Sequence, residues 1–436
     1  MPSTKTYDKY KDSGVEWIGE IPKIWKLVKT RRVFCNTKEI VGKKSILTER
    51  LALTLNGVIR RNKDDVEGLQ PEQFDGYQYL RKNQLVFKLI DLENVSTSRV
   101  GLCSFDEGMV SPAYIVLKNV NSDNRYYHYY FLSLWHNEIF NYLGGDGVRS
   151  ALNAKDLLNI PTFDLTKDEQ QQIADYLDKK CGEIDRVVDT QKDVIEKLKE
   201  YKQSVITEAV TKGIDKSVPL KASGIEWIGE IPQHWEMVKF KKVVVNIADI
   251  DHYMPETVDN GYPYLMTGDL KDFASLIDFI SCKQISEIDY NSLSTKIHPL
   301  KDDVIFARYA TIGTICYVDI TSDFLVSYSC LTIRPLADKS IGKFLYYYLK
   351  SSIFMIDISQ YVNSNTQSNV GLDSLKKAHI VLPKKEEQEK IAAYLDKKCG
   401  EIDNAIKDKE QLIEKLTEYK KSLIYECVTG KRKVIE

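Results

Sequence analysis

One frame occurs twice in this 436-residue chain, and the duplication limits the folds open to it. The segment 13–33, SGVEWIGEIPKIWKLVKTRRV, returns at 223–243 as SGIEWIGEIPQHWEMVKFKKV, with 13 of 21 positions identical. A longer stretch, 168–211, returns at 386–429 with 26 of 44 positions identical. The enclosed regions, about 34–165 and 244–383, resemble each other far less. Two copies of so long a unit do not make a solenoid. The pattern predicts two quasi-equivalent halves, each a constant frame with a variable insert, related by a pseudo-two-fold axis.

The frame segment after each insert carries a heptad seam. Leu177, Ile184, Gln191, Leu198 and Val205 fall seven apart, with Cys181, Val188, Ile195, Lys202 and Ala209 four residues after each. The second copy repeats this with Leu395, Ile402, Lys409, Leu416 and Leu423, and with Cys399, Ile406, Ile413, Lys420 and Cys427. A seam of this period predicts two long helices packed on one another as a coiled coil, antiparallel so that the inserts lie at opposite ends. The same seam positions are polar in both copies, a device that fixes register. Pro161 and Pro383 precede the helices, and Asp168-Glu169 and Glu386-Glu387 suit their N-termini. Gly213, Ser217, Pro219 and Gly224 read as a linker.

The inserts read as mixed α/β. In the first, the apolar runs 46–55, 84–90 and 114–117 suggest strands, and the aromatic stretch 126–142 a helix. In the second, 262–266, 303–309, 314–318 and 325–333 read as strands and 341–352 as a helix. The fold class is therefore α+β: two mixed α/β inserts joined by two long antiparallel helices. The corresponding boundaries are 1–33 (frame), 34–165 (insert), 166–213 (long helix), 214–243 (linker and repeated frame), 244–383 (insert) and 384–436 (long helix). Most of the 26 tyrosines read as core and rim packing.

Catalytic patterns are missing from the sequence. Gly42-Lys43-Lys44-Ser45 lacks the upstream glycine of a phosphate loop, Gly144-Gly145-Asp146-Gly147 lacks a dinucleotide-binding context, and neither HExxH nor GxSxG occurs. Asp64-Asp65 and Asp302-Asp303 read as solvated turns. Cys181 and Cys399 lie on the seam and read as buried rather than reactive. The eight cysteines form no CxxC pair, which suits a reducing cytoplasm. No stretch is apolar for long enough to span a membrane, and the N-terminus shows no secretory h-region.

What remains is polar and basic loop chemistry. Insert one offers Arg60, Arg61, Asn62 and Lys63, then Gln78, Arg81 and Lys82, then Arg149, Ser150 and Lys155. Insert two offers Thr267, Asp269 and Lys271, then Arg308 and Tyr309, then Asn363, Asn365, Gln367 and Asn369. Arginine reads guanine, and asparagine or glutamine reads adenine, through paired hydrogen bonds; lysine and serine hold phosphates. Singly, each also reads as an ordinary surface residue. The formal charge of −2 requires any DNA contact to be local or shared with a partner.

The repeated SGVEWIGEIPKIW and SGIEWIGEIPQHW, and the duplicated EQxxIAxYLDKKCGEID beginning at Glu169 and Glu387, resemble the specificity (S) subunits of type I restriction-modification systems. LLNIPTFDLTKDEQ and HIVLPKKEEQ resemble that family's entry into its conserved helices. GLCSFDEGMVSPAYIVLK (101–118) and STKIHPLKDDVIFARYATIGT (294–314) resemble its target recognition domains. The resemblance implies that each insert reads one half of a bipartite site in double-stranded DNA and that the helices set the gap. It implies docking of two methyltransferase (M) subunits, which methylate adenine N6 from S-adenosylmethionine, and of motor-nuclease (R) subunits using ATP and magnesium. This chain would itself be non-catalytic, bind no cofactor and be cytoplasmic. Two other readings stay open at this point: a freestanding DNA-binding regulator, and a coiled-coil adaptor without DNA contact.

Overall fold

The computed structural model describes residues 6–65, 73–92, 97–119, 123–144, 151–309, 312–363 and 369–434, with the side chains of 362 and 363 left aside. It divides into two units: Met1–Gln191 with Gln411–Glu436, and Lys192–Glu410. The long helices are Lys167–Lys212 and Lys385–Val428. Each unit therefore holds the opening turns of one long helix and the closing turns of the other.

In unit one the frame strand Leu27–Lys29 pairs antiparallel with the exit strand Pro161–Phe163, so the insert departs and returns at one place. The insert carries a four-stranded sheet, with Cys35–Thr37, Ile115–Lys118, Leu85–Phe87 and Val100–Leu102 side by side in that order. Alternate residues serve opposite faces, as the period of a strand dictates. Leu85, Phe87, Val100 and Leu117 join the core with the helix Arg125–His136. Val86 and Val116 face a second core with Leu51, Leu53 and Val58 of the hairpin Leu51–Thr54/Gly57–Arg60. Burial on both faces is why these strands read as continuous apolar runs.

Unit two repeats the plan. Glu236–Lys239 pairs antiparallel with His379–Leu382. The sheet order is Val244–Ala248, Cys330–Pro335, Val304–Ala307, Ile315–Tyr317, which is the chain-order pattern of unit one. Val304, Phe306, Ile315, Leu331 and Ile333 face the helix Gly342–Lys350, while Ile305, Ala307, Cys316 and Cys330 line a second core. Topology has outlasted sequence similarity in the inserts.

Each tyrosine-rich helix docks on its frame by the same bonds. Arg125 and Tyr129 reach Asp178 at 2.5 and 2.7 Å; Lys343 and Tyr347 reach Asp396 at 3.2 and 2.6 Å. Tyr130 donates to the carbonyl of Pro161, and Tyr348 to that of His379.

Within each unit the two long-helix segments run antiparallel. In unit one, Leu177, Cys181 and Ile184 share a core with Leu423, Ile424, Cys427 and Val428, and Lys420 meets Asp185 at 2.6 Å. In unit two, Val205, Ile206 and Ala209 share a core with Ile391, Leu395 and Cys399, and Lys202 meets Asp403 at 2.7 Å. The seam lysines Lys202 and Lys420 are thus each paired with an aspartate on the facing helix. Ile195 and Ile402 are also buried, whereas Val188, Leu198, Ile406, Ile413 and Leu416 are half-buried. Burial pushes the Cys181 and Cys399 thiols up to about 11, so both stay protonated at neutral pH.

A frame tryptophan gathers the two helix ends. Trp25 is buried, and its Nε1 donates to Glu169 Oε1 at 2.8 Å in the opening turn of the first helix. Its ring also lies against Gly430, which closes the second helix at φ +74°; a Cβ there would press into Pro22 and Trp25. Trp235 does the same in unit two, with Glu387 at 2.8 Å and Gly213 at φ +74°.

Several local expectations fail for physical reasons. Residues 46–55 do not form one strand: Gly42–Ile46 is a 3-10 helix and only Leu51–Thr54 is extended. The run 325–333 breaks at a turn closed by the Cys330 N–H on the Ser327 carbonyl, with Leu325–Val326 pairing beside Tyr262–Leu265 and Cys330–Pro335 joining the four-stranded sheet. Asp303 is not solvated; it is buried against Arg334 at 2.8 Å and accepts from the Leu300 N–H. Part of the linker, Leu220–Ala222, is a strand paired with Glu230–Pro232.

Two predictions follow from this packing. Replacing Trp25 or Trp235 by Phe removes a donor to a carboxylate and lowers stability by about 2 kcal/mol in denaturant titration. Burial holds the imidazoles of His128 and His136 down to about 4, with Lys421 and Lys420 adding to the effect at His136. The unfolded chain takes up these protons near pH 6.5 and the folded unit does not. Stability is therefore full above about pH 6.5 and falls as the pH drops toward 4. The urea midpoint should decline across that window, less steeply in His136→Gln.

Candidate nucleic-acid interface

In unit one the basic candidates surround the hairpin and the ribbon formed by Gln78–Arg81 and Glu107–Val110. Arg60 is 64% exposed; it pairs with Glu49 at 2.8 Å and lies over the Phe105 ring. Arg81 forks onto Glu39 at 2.6 and 2.9 Å, reaches Glu107 at 2.8 Å and stacks over Tyr79. That fork holds the Glu39 carboxyl below its ordinary range, against a small opposing effect of burial. Lys82 lies 3.6 Å from Asp106. Arg61 bridges Asp65, Asn62 accepts from the Asp64 N–H, and Lys63 donates to the carbonyls of Ser45 and Ile46. Exposed ion pairs like those of Arg60 and Arg81 are weak and open readily for a phosphate or a base.

Gln78 lies inside. It is 1% exposed, and its Nε2 donates to the carbonyls of Ser111 and Tyr114. It floors an open cleft of about 480 Å³ whose rim includes Asn36, Lys38 and Asn153. Asn36 and Lys38, both exposed, were not singled out by sequence; they lie on and just after an edge strand whose exposed face shows no alternation signal. Lys155 is exposed on the turn that Asn153 caps. Arg149 and Ser150 lie outside the described residues.

In unit two Arg308 is buried in a charged cluster. Its Nη2 meets Asp249 at 2.7 Å and His252 at 3.1 Å, and its Nε donates to the Tyr328 carbonyl. Lys296 reaches the same aspartate at 3.1 Å, and the His252 ring stacks on Tyr328. Burial alone would raise the Asp249 carboxyl, but Lys296 and Arg308 hold it below its usual range. Arg308 therefore positions its neighbours. Tyr309 stacks on the Arg308 guanidinium and pairs through its backbone with Asn369, which in turn pairs with Asn363. The structure thus brings Arg308, Tyr309, Asn363 and Asn369 to one end of the sheet. Asn365 and Gln367 fall outside the described residues. Thr267 and Asp269 form a separate short turn, where Asp269 accepts from the Met266 N–H, and Lys271 is exposed just beyond it. Among the described residues no group of three or more His, Cys, Asp or Glu could hold a metal ion, and no helix is long and apolar enough to cross a membrane.

Two α/β inserts carried on a duplicated frame with paired long helices define the architecture of a type I restriction-modification specificity subunit. Residues 232–417 match the family model described as the type I restriction modification DNA specificity domain. The chain is 28% identical over 275 residues to the type I restriction enzyme MjaVIII specificity subunit of Methanocaldococcus jannaschii, covering 61% of each. It is 23% identical over 253 residues to the EcoBI specificity subunit of Escherichia coli, covering 55% of this chain and 52% of that one. These alignments span between about half and three fifths of the relatives' lengths. The fold matches a solved chain of the type I R-M system with a TM-score of 0.69 at 14% identity, covering 94% of this chain and 99% of that one. It matches the HsdS subunit of Thermoanaerobacter tengcongensis with a TM-score of 0.50 at 14% identity, covering 94% and 98%. The family match, the curated relatives and the fold all support a type I restriction-modification specificity subunit.

The two glutamine and arginine environments separate structure from contact. Gln78→Ala removes the buried donor to the Ser111 and Tyr114 carbonyls and should lower stability by about 1–3 kcal/mol. Arg60→Ala should stay within about 0.5 kcal/mol of the parent in the same urea titration.

Proposed function

We propose that this chain is the DNA-reading, non-catalytic component of a cytoplasmic restriction-modification complex. The observation that carries the reading is the pairing of a frame repeated in sequence with inserts that share a topology but far less sequence. A constant surface offered twice suits two copies of one partner. A variable surface offered twice suits two different half-sites on DNA. The frame would dock two methyltransferase subunits, which methylate adenine N6 from S-adenosylmethionine, and motor-nuclease subunits would join using ATP and magnesium.

Reading would fall to the exposed polar groups of each insert. Arg60, Arg81, Lys82, Lys155, Lys271, Tyr309 and Asn369 reach solvent at least in part, and Arg149, Ser150, Asn363, Asn365 and Gln367 remain candidates. Gln78, Asn62, Lys63, Asp269 and Arg308 would hold loops in place. The chain's near-neutral charge fits a design in which partner subunits share the phosphate contacts. The gap between half-sites would be set by the long helices, which continue unbroken across the unit boundaries at 191/192 and 410/411.

An exchange of residues 34–165 for the matching insert of another family member tests the two-reader model. Sequencing of methylated sites should show one half of the motif changed and the other kept. A change in both halves, or in neither, contradicts it.

A further inference from the structure

The turn at 46–47 bears two apolar side chains that no described residue covers: Ile46 is 80% exposed and Leu47 90%. Surface leucines are common singly, but this pair crowns a turn that is pinned from every side. The N–H groups of Leu47 and Thr48 both donate to the Lys44 carbonyl. The Lys63 ammonium donates to the carbonyls of Ser45 and Ile46 at 2.8 and 2.7 Å. Ser45 Oγ binds Asp75, whose own carbonyl accepts from the Gly42 N–H. The tip is therefore a stiff knob rather than a loop that could fold its leucine away.

Its flanks are basic. Lys43 and Lys44 are exposed beside it, and neither has an ion pair among the described residues. The stretch 38–65 carries seven Lys or Arg against four Asp or Glu, in a chain whose net charge is −2. A narrow apolar knob between cations is too small for a protein–protein core, which buries roughly 800 Å² per partner. It matches the chemistry of a duplex entered at a base step, where an aliphatic wedge displaces stacking and lysines take the flanking phosphates.

We propose that Leu47, supported by Ile46, is a wedge that opens one base step at or beside the first half-site. This rests on the reading of insert one as a DNA reader. Opening a step makes the local sequence matter through its ease of unstacking, so the wedge would add specificity without a hydrogen bond to any base.

The test uses the full chain with its methyltransferase subunits on a duplex carrying the methylated motif, probed with permanganate for unstacked thymines and with 2-aminopurine at successive positions. One unstacked step should depend on Leu47. It should vanish in Leu47→Ala, with affinity down about tenfold, and persist in Leu47→Met. An adenine flipped by the methyltransferase stays exposed in both variants and is thereby told apart. A normal footprint over both half-sites with no Leu47-dependent unstacking overturns the wedge and leaves the DNA reading intact. No footprint from any form overturns the DNA reading, and the wedge with it. Loss of methyltransferase binding by Leu47→Ala without DNA present makes the tip a protein contact and also overturns the wedge.

Discussion

Everything in each unit converges on a buried indole. Trp25 binds the opening turn of one long helix through Glu169 and packs on Gly430, the residue that closes the other. Trp235 repeats this with Glu387 and Gly213. Only a residue that is both large and a donor can do this: the ring fills the space between the two helix ends, and the N–H satisfies a carboxylate that burial would otherwise penalise. Tyr7 adds a second donor to Glu169 and His234 a second contact to Glu387, so the carboxylates are held from two sides. Both glycines end their helix in a left-handed turn; a Cβ at Gly430 would clash with Pro22, and one at Gly213 would press on Trp235.

A joint of this kind separates what must be constant from what can vary. The frame strands close the root of each insert, and the tyrosine-rich helix ties the insert to the opening turns of a long helix through Asp178 or Asp396. Beyond those contacts the sheet needs only alternate apolar residues on each face. Loops at its edge can then change without loss of the fold. Ion pairs across the helix seam, Lys420 with Asp185 and Lys202 with Asp403, specify register more than they add stability, since exposed pairs contribute little.

The frame, the long helices and the α/β character of the inserts were legible because they rest on periodicity and on direct repetition. The docking of the tyrosine helices was not: only Tyr129/Tyr347, Tyr130/Tyr348 and Ser133/Ser351 are shared in that stretch, too few to extend the repeat by eye. Side-chain direction was the larger loss. Gln78 and Arg308 have the chemistry of base readers but lie inward, because a strand or its end places a polar residue on whichever face the register dictates. Asp303 read as a turn carboxylate and proved to be buried with Arg334. Conversely Leu47 carried no signal, since an apolar run reads as a strand until its turn geometry is known.

The most direct test is genome-wide detection of methylated adenine in three otherwise identical hosts: one without the chain, one with it, and one with a heptad inserted into both long helices at 191/192 and 410/411. The account predicts a split motif that appears only with the chain. In the third host its halves should be unchanged and its gap wider by about three base pairs, since seven helical residues span roughly 10 Å. An uninterrupted motif, or a gap that ignores the added heptad, contradicts it.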